Sequence, residues 1–174
     1  MKILVPIGGL CVVVLTSVIQ TQAAARSRPA SAASSKDVQK IEITHRSSVA
    51  AVNAPADHFT GTAHVVALFK PNGASRASGA LITFEPSART AWHSHPLGQT
   101  LIVTEGVGWV QQWGGPVQII RKGDVVRIPP GVKHWHGATA ATSMSHLAIV
   151  EVLDGKTVDW MEKVSDDQYQ GPQP

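Results

Sequence analysis

From residue 63 onward the chain alternates short β-branched runs with turn residues, and that rhythm limits its fold more than any other feature. The runs cover 63–69, 79–84, 91–95, 99–104, 108–113, 117–121, 125–128, 133–138 and 143–152. Between them stand Pro71-Asn72-Gly73, Pro86, Pro96, Gly106, Gly114-Gly115-Pro116, Lys122-Gly123-Asp124 and Pro129-Pro130-Gly131. Short strands with turn residues at such spacing form an all-β sandwich or barrel. No helical period of useful length precedes Val158; residues 158–169 are expected to form one short helix, ended by Gly171-Pro172. Upstream, Ile41 and Ile43 alternate with Glu42 and Thr44, so 38–45 is expected to be a short half-buried strand.

The first residues read as a targeting segment. Lys2 is followed by an apolar run over 3–19 and by the small residues Ala23, Ala24 and Ala25, the layout of a signal peptide over 1–25. The expected location is secreted or periplasmic, with no membrane contact after cleavage. Residues 26–53 read as a flexible Ser/Ala-rich segment carrying the short strand, and 54–170 as the single folded domain. Cleavage after Ala25 leaves 174 − 25 = 149 residues and, with Lys2 gone, takes the net charge from +3 to +2. So small a charge without a basic cluster gives no case for nucleic-acid binding. The one cysteine, Cys11, lies in the removed segment, so the mature chain has neither disulfides nor a catalytic thiol.

Four of the eight histidines form two pairs, His93-Ser94-His95 and His134-Trp135-His136. Residues two apart on a strand face the same side, so each pair sends two imidazoles into one space. Two such pairs on facing strands of a closed barrel can share one metal ion. His45, His58 and His64 have no partner at ligand spacing and read as structural. Trp92 and Trp135, each next to a paired histidine, are expected to point away from it into an outer layer.

The spacing His93-x-His95, Gln99, Gly106, then Gly123, Pro129, Gly131 and His134, resembles the two-part signature of the cupin superfamily. The resemblance implies a small jelly-roll β-barrel over 54–170. Three positions depart from the signature: Ser87 stands where the first motif opens with Gly, Gln99 where it places a carboxylate ligand, and Ala138 where it closes with Asn. The first and last are expected to alter only turns. The Gln changes the site, since three neutral imidazoles and a neutral amide leave a metal's +2 charge uncompensated and make it a stronger Lewis acid.

A second resemblance covers most of the mature chain. The stretches 55–61, 88–104, 133–137, 145–149 and 158–162 look like the bacterial manganese-dependent cupin hydroxynitrile lyases, which reversibly split cyanohydrins into an aldehyde and hydrogen cyanide. The resemblance implies metal ligands at His93, His95, Gln99 and His134, and pocket residues with catalytic roles at His136, His146 and Thr90. It implies one divalent transition metal per chain, manganese first, with iron, zinc, nickel or cobalt as alternatives, and a small-molecule substrate. Two other classes stand beside the lyase: a quercetinase-like cupin dioxygenase acting on a phenolic substrate, against which Gln99 argues, and a non-catalytic binding barrel. Because 39–45 has no obvious partner within the chain, a homodimer or homotetramer is expected.

Overall fold

The computed structural model describes residues 40–172. The expected signal peptide over 1–25 and the tether expected after it lie outside the described residues. Twelve strands form one curled sheet: β1 (Val52–Asn53), β2 (Phe59–Thr60), β3 (Ala63–Phe69), β4 (Ala77–Phe84), β5 (Arg89–Thr90), β6 (His93–Ser94), β7 (Gln99–Gln112), β8 (Val117–Arg121), β9 (Val125–Ile128), β10 (His134–Ala138), β11 (Met144–Glu151) and β12 (Asp159–Trp160). The path runs β1-β3-β4-β11-β7-β10-β5-β2, with β8 and β9 on β7, and with β6 between β10 and β12. Every pairing is antiparallel, as the short turns require.

The 99–104 and 108–113 runs are one strand bent at its middle. The first half of β7 pairs with β9 and β11, and the second with β8 and β10. Gly106 makes the bend. Its φ is +74°, and a Cβ there would lie 2.0 Å from the Ser143 carbonyl oxygen, so only glycine fits. Ser87, where the cupin signature has glycine, sits at φ +69° and is held by its N–H donating to the Thr139 carbonyl at 2.9 Å. That left-handed backbone costs a non-glycine residue about 1–2 kcal/mol.

The barrel interior is solid at one end and open at the other. Phe84, Val103 and Met144 pack the closed end with Ala63, Phe59 lies between them and the cavity, and a fully buried Phe, Val or Met contributes about 1.5–3 kcal/mol. Toward the open end three alanines lie directly opposite one another, Ala67 with Ala80 and Ala80 with Ala148. Their small side chains leave the space that larger residues would fill. Outside the barrel, Trp92 and Trp135 are buried with Val164, as expected of an outer layer.

Two expected elements are absent. Residues 40–45 form no strand; Ile41 and Ile43 are 95% and 71% exposed, because no neighbouring strand takes up their backbone hydrogen bonds. The expected helix over 158–169 is instead β12 followed by an extended strap with one turn near its end. The backbone there is claimed from outside: Trp92 donates its N–H to the Glu162 carbonyl and accepts from the Met161 N–H, and buried Arg89 donates to the Val164 carbonyl and the Asp166 carboxylate. The expected strand over 91–95 is also interrupted. Arg89–Thr90 pairs with β2 and β10, the chain steps across at Ala91, and His93–Ser94 pairs with β10 and β12.

Candidate metal centre

His93 and His134 face each other directly across the β6–β10 pair, and His95 follows at the end of β6. The ligand nitrogens of His93, His95 and His134 all lie within 4.8 Å of one another, and all three residues are buried. Each ring is oriented by the backbone. His93 Nδ1 lies 3.0 Å from the Ala91 carbonyl oxygen, His95 Nδ1 2.6 Å from that of Thr157, and His134 Nδ1 2.9 Å from that of Val132. A carbonyl only accepts, so each Nδ1 carries the proton and each neutral ring keeps a free lone pair on Nε2.

Two observations fit these residues to a cation. His95 Nε2 is buried and has no hydrogen-bond partner. His134 Nε2 sits 3.1 Å from Gln99 Oε1, so two acceptors face each other unless a cation lies beside them or the amide is turned. Such carbonyl-anchored imidazoles are the usual support of metal-ligating histidines.

The same cavity, about 390 Å³, is lined by His93, His95, Gln99, His136 and Thr90 on its polar side. Val65, Ala67, Ala80, Ile82 and Trp160 contribute to the apolar side, and no carboxylate lines it among the described residues. A larger depression of about 660 Å³ lies on the outer face around Trp92, Trp113 and Gln168, away from every imidazole of the cluster. The chemistry belongs to the smaller space.

His136 and His146 form a second arrangement. His136 Nδ1 and His146 Nε2 are 3.1 Å apart, and His136 Nε2 is buried without a partner. His136 lines the cavity, whereas His146, fully buried on β11, stands behind it. Thr90 Oγ1 accepts the His136 backbone N–H at 3.2 Å. Burial sets the charge state of all five imidazoles. It holds His93 and His136 well below the ordinary histidine value, with neighbouring imidazoles adding to the effect, and it also lowers His95. It lowers His134 and His146 to about 4. These rings are neutral at neutral pH, the form that ligates a metal or takes a proton.

The structure thus gathers all seven residues singled out from the sequence: five line the cavity, while His134 stands behind Gln99 and His146 behind His136. Among the histidines read as structural, His45 is exposed and His64 lies half-buried on β3. His58 is stacked on Trp160 at 4.5 Å. Trp160 and the Thr157 carbonyl are the site elements that the sequence reading missed. The expected helix over 158–169 hid Trp160, whose stretch 158–162 carried a resemblance but no role, and a backbone carbonyl such as that of Thr157 leaves no mark in the sequence.

The family described as the cupin domain matches residues 80–150. Over 129 residues the chain is 58% identical to the (R)-mandelonitrile lyase of Granulicella tundricola, covering 74% of this chain and 98% of that protein. A crystal structure of a cupin-like protein from Thermotoga maritima matches with 42% identity and a TM-score of 0.65, over 67% of this chain and 89% of that one. The polyketide cyclase of Streptomyces resistomycificus, at 21% identity and a TM-score of 0.58 over 75% of this chain and 91% of its own, shares the fold. By its identity to a relative matched over nearly its whole length, the chain belongs to the cupin family that includes (R)-mandelonitrile lyase.

Proposed function

We propose that this protein is a metal-dependent hydroxynitrile lyase that reversibly cleaves a cyanohydrin into an aldehyde and hydrogen cyanide. One observation carries the reading: three imidazoles with free Nε2 lone pairs converge, and two of them, His93 and His95, line one cavity with His136, whose buried Nε2 has no partner. The relative named (R)-mandelonitrile lyase supports the substrate class.

His93, His95, His134 and Gln99 would hold one divalent transition ion; the resemblance to manganese-dependent cupin lyases puts manganese first, and the imidazole-rich donor set also accepts iron, zinc, nickel or cobalt. When bound, such an ion supplies a Lewis acid that lowers the pKa of a hydroxyl group and stabilises negative charge on its oxygen. The proton work falls to the chain. His136 takes the hydroxyl proton at Nε2 while its Nδ1 hydrogen is held by His146 Nε2. The carbon–carbon bond then breaks, its electron pair leaves with cyanide, and the carbonyl forms on the former carbinol carbon. His136 returns its proton to cyanide, giving neutral hydrogen cyanide. Thr90, whose oxygen already accepts from His136 N–H, keeps its own hydroxyl hydrogen free to orient the substrate.

Benzaldehyde release from mandelonitrile, corrected for spontaneous decomposition, is expected to be far faster with the manganese-loaded protein than with the apoprotein. Equal rates, together with oxygen uptake on a phenolic substrate, would replace the lyase with the oxygenase.

We further propose export of the mature chain and its assembly as a homodimer or homotetramer. The layout of residues 1–25 supports the first. The bare Ile41 and Ile43 and the 60% exposed Val52 of edge strand β1 support the second. Light scattering of the mature protein giving a monomer mass at micromolar concentration would refute assembly, and an intact N-terminus on protein recovered from cells would refute export.

A further inference from the structure

The C-terminal strap is part of the site. Antiparallel pairing places Trp160 directly opposite His93. The Trp160 ring packs 4.8 Å from the His93 ring and 5.8 Å from Phe59, and it stacks on His58 at 4.5 Å with only 4° between the planes. The strap is fastened on both sides of it: the Thr157 carbonyl accepts from His95 at 2.6 Å, and the Met161 N–H donates to the Trp92 carbonyl at 2.9 Å. Trp160 lines the same cavity as His93, His95 and His136. Across that cavity, Ala67, Ala80 and Ala148 offer no bulk.

A flat, polarisable indole fixed by neighbouring rings, in a cavity where three alanines widen the space left by Val65, Ile82 and Val150, has the shape of a slot for an aromatic group. Aromatic rings meet such a surface in edge-to-face or offset contact, which favours them over aliphatic groups beyond the area buried. We propose that Trp160 is the specificity-determining residue of the site, selecting an aryl group on the substrate beside the metal ligands, with His58 as the positioning residue that holds the indole in place. This rests on the lyase reading for the reaction, but not for the binding preference.

The test uses full-chain, manganese-loaded Trp160→Leu, Trp160→Phe and His58→Ala, with metal content measured for each. In Trp160→Leu the KM for mandelonitrile is expected to rise about tenfold. The loss in kcat/KM is expected to be about tenfold greater for mandelonitrile than for the cyanohydrin of 2-methylpropanal, with both rates normalised to bound metal. Trp160→Phe recovers most of the aromatic preference, and His58→Ala lies between. A parallel loss for both substrates, or a loss tracking metal content, would overturn the proposal by reducing Trp160 to a support for His93. Binding of benzyl alcohol and of 2-methylpropanol, followed by NMR titration, is read independently of turnover. If the parent protein has no lyase activity yet prefers benzyl alcohol and Trp160→Leu does not, the reaction assignment fails and the aryl slot stands. If neither protein discriminates between the alcohols, the slot fails.

Discussion

His93, His95 and His134 give their Nδ1 hydrogens to backbone carbonyls, whereas His136 and His146 face each other. Both groups are buried and neutral, and His134 and His136 even share a strand. The difference lies in what fixes the ring. A carbonyl can only accept, so it locks one tautomer and leaves Nε2 a permanent lone pair, as a metal demands. An imidazole partner accepts or donates, so the second pair can rearrange its protons without moving a heavy atom. Burial alone does not separate a ligand from a base; the hydrogen-bond partner on the far nitrogen does.

Three experiments would break or sharpen this contrast. The largest effect is expected from His134→Ala, which removes one of the three convergent lone pairs. Metal affinity should fall by more than about a hundredfold, seen as loss of bound metal by elemental analysis, and activity should drop to the apoprotein level. Full metal occupancy in this variant would end the assignment. Next is His136→Ala, which leaves every carbonyl-anchored ring in place. Metal content should remain at one per chain while kcat falls by roughly 10²–10⁴, the contribution of a positioned general base. An equal loss of metal would show that the two groups are one.

The smallest effect concerns stability in acid. In the unfolded chain His146 titrates near 6.5, but burial lowers it to about 4 in the fold. Below 6.5 the unfolded state therefore binds a proton that the folded state refuses. The stability contributed by the neutral buried ring is complete above 6.5 and is lost as pH falls toward 4, at most about 3 kcal/mol from this one residue. Denaturant unfolding of the apoprotein between pH 7 and 4.5 should show that decline. In His146→Gln, whose amide does not titrate, the slope should be shallower. An unchanged slope would place the acid sensitivity elsewhere.

Much of the metal centre was legible because its information is local. The two H-x-H pairs sit at a spacing that strand geometry converts directly into shared faces, and Gln99 and the turn glycines were found through the resemblance to the cupin signature. The all-β architecture was legible for the same reason, since each run and each turn is short. The errors fell where a segment's partner is remote. Gly106 looked like a break between strands, yet β7 continues through it, because the bend lets one strand serve both halves of the curled sheet. The 40–45 segment has the alternation of a strand and, among the described residues, no neighbouring strand to complete it.

The residues by themselves determined an all-β chain with imidazoles paired on its strands, because side-chain alternation and turn chemistry act over a few positions. Only the tertiary structure decided which nitrogen of each imidazole is free, that His146 stands behind His136, and that Trp160 lines the site. Those outcomes depend on the carbonyls of Ala91, Val132 and Thr157, on the β4–β11 and β6–β12 pairings, and on a C-terminal strap anchored by Arg89. Thr157 and Trp160 lie more than sixty residues beyond the histidines they serve, His95 and His93, and only the closed barrel brings them within reach.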